Sequence, residues 1–224
     1  MDGSKILIIS KNTIWTQKLI NKLQEEKFNY FYSSTCSKQV IDNINPDWVF
    51  FFHWSNIVPK EIYKSYKCVV LHVGNLPKNR GGSPIQNQIL EGVNNTKVNA
   101  IKMIDLIDGG DIYHSIPITL QGNLTDIWLS LALTSFKLIS YCVKNNPLPK
   151  PQKGTPQTHK RKNNNKIKFG STDDLLYIYD QIRMLDDESY PNPYIDIGNF
   201  RLEFSRAKLK SHKIITDVSI KRKR

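Results

Sequence analysis

Asp47-Trp48-Val49-Phe50-Phe51-Phe52-His53-Trp54 holds five apolar residues in a row, Trp48 to Phe52. A strand with one face in water alternates apolar and polar residues; this one does not, so both of its faces are covered. Strands of that kind belong to parallel sheets with helices on both sides. The neighbouring segments agree. Lys5 to Ser10 and Cys68 to Val73 are further apolar runs rich in β-branched residues. Between them lie helical patterns: one after Asn12 or Thr13, with an apolar face of Ile14, Trp15, Leu19, Ile20 and Leu23, then Ser37 to Ile44 and Pro59 to Tyr66. Strand and helix continue to alternate through Ser83–Glu91, Val98–Ile104, Asp111–Ile118 and the long amphipathic stretch Thr125–Val143. The expected fold is α/β: a Rossmann-like, mostly parallel sheet with flanking helices.

Prolines at 147, 149, 151 and 156 break this pattern. A helix over Asp173–Leu185 and strands at 194–197, 200–206 and 214–220, turning at Gly198-Asn199, then predict a small α+β appendage with antiparallel strands. The expected division is a main α/β domain over residues 1–146, a polar, mobile linker over 147–170, and a C-terminal subdomain over 171–224.

The net charge of +12 allows an anionic partner, either a nucleic acid or a small phosphorylated substrate. Much of it sits in His159-Lys160-Arg161-Lys162 and the terminal Lys221-Arg222-Lys223-Arg224, runs that are commonly solvated. No stretch of 18 apolar residues occurs, so no membrane span is expected, and the N-terminus lacks the long apolar segment of a secretion signal. Cys36, Cys68 and Cys142 are too widely spaced for a disulfide framework or a zinc pattern. A cytoplasmic setting without a metal is expected.

Two polar residues stand at presumed strand ends. His72 lies in Leu71-His72-Val73-Gly74-Asn75-Leu76-Pro77, and Asp108 in Leu106-Ile107-Asp108-Gly109-Gly110-Asp111-Ile112. Open α/β sheets present their chemistry at strand ends, and a histidine with a carboxylate suggests a general base with an orienting partner. Arg80-Gly81-Gly82-Ser83 between them opens a helix, a location where backbone amides bind anions. Spacing alone leaves two readings open: a catalytic pair, or a core histidine and a turn aspartate.

The ordered motifs resemble those of the folate-dependent formyltransferases. Leu76-Pro77-Lys78-Asn79-Arg80-Gly81, Pro84-Ile85-Gln86 and Ile107-Asp108-Gly109-Gly110-Asp111-Ile112 carry the likeness over most of residues 1–145. A narrower resemblance runs through His53-Trp54-Ser55, Ile57-Val58-Pro59, Arg80-Gly81-Gly82-Ser83-Pro84, Ile182-Arg183-Met184-Leu185-Asp186 and Phe204-Ser205-Arg206-Ala207. It points to N-formyltransferases that act on nucleotide-linked 4-amino-4,6-dideoxy sugars.

The resemblance implies N10-formyltetrahydrofolate as cosubstrate and His72 and Asp108 as catalytic residues. The family asparagine two residues before the histidine is replaced by Val70. A valine donates no hydrogen bond, which leaves Asn75, Asn56 or the backbone as the substitute donor. The folate slot is expected between two loops, walled by Asn56, Ile57, Val58, Ile104, Leu106 and Ile107. Ser10, Lys11, Asn12, Trp15, Lys78 and Arg80 form the expected nucleotide edge. The expected partner is a nucleotide-linked amino sugar; a membrane and a nucleic acid are not expected, and a homodimer is left open. The alternatives are formylation of glycinamide ribonucleotide or methionyl-tRNA, and a basic nucleic-acid-binding protein that uses the fold without catalysis.

Overall fold

The computed structural model describes residues 3–162, 164–170 and 174–223. In chain order the elements are β1 (Ile6–Ile9), α1 (Ile14–Glu25), β2 (Tyr30–Ser33), α2 (Lys38–Ile44), β3 (Trp48–Phe51), α3 (Lys60–Ser65), β4 (Cys68–Val73) and β5 (Arg80–Gly81). There follow α4 (Pro84–Leu90), β6 (Asn95–Lys102), β7 (Ile112–Thr119), α5 (Leu124–Asn145), β8 (Thr158–His159), α6 (Leu175–Arg183), β9 (Tyr194–Ile197), β10 (Phe200–Lys210) and β11 (Lys213–Arg222). They fall into two compact units whose segments interleave along the chain. The first comprises residues 1–81, 95–118 and 128–158; the second comprises 82–94, 119–127 and 159–224.

The first unit is built on a six-stranded sheet of order β2-β1-β3-β4-β6-β7. The pairs β1 with β2, β1 with β3 and β3 with β4 are parallel; β4 with β6 is antiparallel. The mostly parallel α/β sheet expected from the sequence is therefore present. All eight residues of β1 and β3 are 0–3% exposed. On one face, Leu7, Ile9, Val49, Phe51 and Cys68 pack with Ile41 of α2 and Ile62 of α3. Order 2-1-3 places the reversal of winding between β1 and β3, and the loops beyond these strand ends form the crevice of such sheets.

Local chemistry sets the boundaries. Thr13 caps α1 by accepting a hydrogen bond from the Thr16 amide at 3.2 Å. Ile14 does not join the apolar face expected of it and is 67% exposed. Trp15, Leu19 and Leu23 repeat every four residues, and the first residue of the helix lies about 100° to the side of that stripe. β3 stops at Phe51, short of the expected Trp54, and His53 takes a left-handed φ of 48° that no strand accommodates. α5 is long and apolar enough to cross a membrane by composition. Its Ile127, Leu131, Leu138 and Ile139 are buried as the core face of an amphipathic helix.

The stretch expected as a free linker carries regular backbone pairing. Lys150 exchanges both backbone bonds with Ile112, at 2.8 and 2.9 Å, and the Arg80 amide donates to Gln157 at 3.1 Å.

In the second unit, β9, β10 and β11 form an antiparallel sheet, with Gly198 at φ 53° in the β9–β10 turn. Asp174 caps α6 through the Tyr177 amide at 2.8 Å; residues 171–173 of the expected helix lie outside the described residues. Arg183 is buried: it donates to Asp180 at 2.6 Å and to the carbonyls of Leu120 and Gly122 at 2.5 and 2.9 Å.

Two outcomes follow from this packing. Phe51→Ala empties a wholly enclosed site and should lower unfolding free energy by about 3–5 kcal/mol, measured by urea denaturation. Burial pushes the Cys68 and Cys142 thiols up to about 12 from their ordinary 9.0. The unfolded chain therefore releases these protons before the folded one. Their contribution to stability is complete below the unfolded value and is lost as pH rises from there toward 12. Urea midpoints should fall between pH 8.5 and 10.5, roughly the range in which unfolded thiols ionise, and both thiols should resist alkylation in the folded protein.

Candidate active site

His72 stands near the end of β4, paired in the antiparallel register with Asn99 of β6. Asn99 is buried and braces this strand end from below. Its Nδ2 donates to the carbonyls of His72 at 3.3 Å and Gly74 at 2.7 Å, while its Oδ1 accepts from Ser115 Oγ at 2.6 Å. The chain then turns back over the histidine. Asn79 Oδ1 accepts from the Asn75 amide at 3.0 Å, and the Asn79 carbonyl lies 2.6 Å from His72 Nε2. Gly74 lets the turn close: a Cβ there would sit 2.7 Å from Asn79 Cβ and 3.3 Å from His72 Nε2. The Leu76-Pro77 peptide within the turn is cis.

Asp108 comes to the other side of the ring. Its Oδ2 lies 3.3 Å from His72 Nδ1 and accepts the Gly81 amide at 2.9 Å. The residue holds a left-handed φ of 50°, which turns its carboxylate back from the loop. Gly110, two residues on, runs against β6: a Cβ there would be 1.8 Å from the Lys102 carbonyl oxygen. The Gly-Gly of the sequence motif thus reflects close backbone approach as well as turn formation.

Both ring nitrogens of His72 face oxygen. Nε2 meets a carbonyl and so acts as the donor, while Nδ1 faces the Asp108 carboxylate. With side chains 6% and 12% exposed, water screens the contact weakly. The arrangement can hold a proton on the ring and balance its charge with the carboxylate.

The remaining expected residues divide. Asn75 and Asn56 are exposed, and neither contacts His72 or Asp108 among the described residues. The two loops of the expected folate slot are neighbours: Asp105 accepts from Tyr63 and pairs with Lys60 at 3.2 Å. Ile57, Ile104, Leu106 and Ile107 are exposed apolar residues on these loops. Val58 instead belongs to the core cluster, against which Met103 packs, so it supports the slot from behind.

On the expected nucleotide edge, Lys11, Asn12 and Lys78 are exposed and Arg80 is half-buried. The Ser10 and Trp15 side chains are buried. Ser10 Oγ is buried against Thr16 Oγ1 at 2.9 Å. The Trp15 indole stacks on Trp128 and donates to His53 Nδ1 at 3.2 Å. Both point inward because they begin the buried stripe of α1 and the end of β1.

Asn79, Asn99 and Gln152 were missed by sequence reasoning. Asn79 lies inside a recognised motif and could have been suspected; Asn99 and Gln152 carry no local signal. A groove of about 620 Å³ lined by Ile112, His114, Tyr141, Leu148, Lys150 and Lys153 includes neither His72 nor Asp108. Among the described residues no cluster of three or more His, Cys, Asp or Glu side chains could hold a metal.

Comparison with known proteins covers most of the chain. Residues 32–127 match the family described as formyl transferase, and residues 162–221 match the methionyl-tRNA formyltransferase C-terminal domain. A methionyl-tRNA formyltransferase of Caldicellulosiruptor saccharolyticus is 34% identical over 127 residues, 54% of this chain and 41% of that protein. The chain thus aligns with about two fifths of this curated relative's length. The solved structure of a methionyl-tRNA formyltransferase from Clostridium thermocellum is 37% identical, with a TM-score of 0.91 over 98% of this chain and 99% of that one. A 4-N formyltransferase from Francisella tularensis shares the fold at 17% identity, with a TM-score of 0.65 over 87% of this chain and 93% of that one.

The geometry predicts that Gly110→Ala forces the Asp108 loop off β6. The thermal midpoint should drop by several degrees, corresponding to roughly 1–3 kcal/mol; a midpoint equal to that of the parent chain contradicts the close approach.

Proposed function

The chain belongs to the formyl transferase family, and from that premise we propose that it moves a formyl group from N10-formyltetrahydrofolate to a primary amine, with His72 and Asp108 as the catalytic pair. The observation that carries this reading is the 3.3 Å contact between His72 Nδ1 and Asp108 Oδ2 at a strand end. The amine attacks in its neutral form and bonds to the formyl carbon. His72 donates from Nε2 to the oxyanion that develops, and Asp108 balances the charge on the ring. The proton released by the amine nitrogen passes to the folate nitrogen as its bond to carbon breaks. The products are the N-formyl amine and tetrahydrofolate. One well-placed donor to such an oxyanion contributes about 3–4 kcal/mol.

Asn75 is the donor proposed in place of the asparagine that Val70 replaces, because it lies on the turn that covers His72. Ile57, Ile104, Leu106 and Ile107 form the apolar surface offered to the pterin. Lys11, Lys78 and Arg80 are assigned to phosphates of the amine substrate.

Methionyl-tRNA is the better supported acceptor. The relatives at 34% and 37% identity carry that name, as does the match over residues 162–221, and a charge of +12 suits a polyanion. The expectation that nucleic acid is not the partner is therefore not carried forward. A second reading, a nucleotide-linked 4-amino-4,6-dideoxy sugar, is favoured by the motifs His53-Trp54-Ser55 and Arg80-Gly81-Gly82-Ser83-Pro84.

Purified chain, N10-formyltetrahydrofolate and either methionyl-tRNA or a panel of amino-sugar nucleotides separate the two readings by release of tetrahydrofolate. Turnover with the tRNA supports the first and turnover with an amino sugar alone the second; no release with any amine overturns both. With the competent acceptor, His72→Ala should lower kcat about 100-fold or more while the far-ultraviolet circular dichroism spectrum is kept. Asn75→Ala should lower kcat about 10-fold or more; unchanged turnover removes Asn75 from the site.

A further inference from the structure

Gln152 makes four hydrogen bonds with a single side chain. Its Nε2 donates to the carbonyls of Asp108 and Gly110, each at 2.8 Å. Its Oε1 accepts from Arg80 Nε at 3.1 Å and Nη2 at 2.8 Å. The segment that carries it is held on both sides. Upstream, Lys150 pairs with Ile112; downstream, the Gln157 amide donates to the Pro77 carbonyl at 3.0 Å and the Gln157 carbonyl accepts from Arg80. Prolines at 147, 149 and 151 restrict the backbone just before it, so little conformational freedom is lost in placing the amide.

We infer that Gln152 is a positioning residue: it grips the backbone of the Asp108 loop so that the carboxylate faces His72, and it ties that loop to the Arg80 guanidinium. The inference rests on the reading of His72 and Asp108 as the catalytic pair. The loop needs such a grip. Asp108 holds a left-handed φ, a conformation that non-glycine residues adopt at a cost. It is followed by two glycines, the least restrained of residues. Among the described residues the carboxylate is held by the Gly81 amide and faces the ring. A grip on the carbonyls of residues 108 and 110 fixes both sides of the intervening peptide units. Through Oε1 the same amide fixes the plane of Arg80, so the group assigned to substrate phosphate and the group facing the catalytic ring share one clasp.

The experiment uses the full chain and three readouts: kcat with its pH profile, KM for the amine, and the ring ¹⁵N chemical shifts of His72. Gln152→Ala removes both halves of the clasp. It should lower kcat about 100-fold, as displacement of a reacting group by about 1 Å does, change the pH profile, raise the amine KM and move the His72 ring shifts. Gln152→Glu keeps an acceptor for Arg80 but sets a carboxylate against two carbonyls. It should lose kcat to a similar degree while the amine KM stays near that of the parent. Being isosteric, it also serves where the alanine variant does not fold. A folded variant with parental kcat, pH profile and His72 shifts overturns the inference. If the parent chain forms no formyl product with any amine, the reaction assigned above fails; the His72 shifts in the two variants still decide whether Gln152 positions the pair.

Discussion

Burial of both faces of β1 and β3 is the constraint on which the rest depends. Eight side chains, all apolar and almost wholly enclosed, leave no place along β1 and β3 for a charged group. Polar chemistry is driven to the strand ends and the loops beyond them. His72 follows this rule on β4, where the parallel part of the sheet meets the antiparallel β6. Asp108 follows it on the loop between β6 and β7.

A pair at two loop ends would be imprecise without support, and the support is polar, from two buried residues and one half-buried one. Asn99 ties off the carbonyls at the end of β4, Asn79 closes the turn over the ring, and Gln152 holds the loop of Asp108. Each bond is worth only about 1 kcal/mol net, but an unmet buried partner costs more, so the network favours one arrangement over its alternatives. Gly74 and Gly110 contribute by lacking a side chain, since a methyl group at either position meets a neighbouring segment. The geometry of the site therefore depends as much on where atoms are missing as on where they are present.

The candidate site was partly legible before any coordinates. Local pattern marks strand ends and turns, and the Asp-Gly-Gly and Arg-Gly-Gly segments are strong turn signals, so His72 and Asp108 could be named from sequence. Trp15 and Ser10 show the limit of that reasoning. Ser10 follows the end of β1 and Trp15 is the second residue of α1, both next to exposed residues, and only packing decides that the indole turns inward onto Trp128 and His53 while Lys11 and Asn12 remain in water. The stretch after Pro147 shows it again: its composition is that of a linker, yet its backbone pairs with Ile112 and Arg80.

By itself the sequence determined what depends on residues close together in the chain: the α/β class, the buried parallel strands and the antiparallel character of the C-terminal strands. Periodicity acts over a few residues and can be read there. Tertiary structure alone decided which distant groups meet. Asn99 opposite His72, Gln152 on Asp108 and Arg80, and the two interleaved units are contacts between segments tens of residues apart. Such contacts follow from register and close packing, which no local pattern encodes.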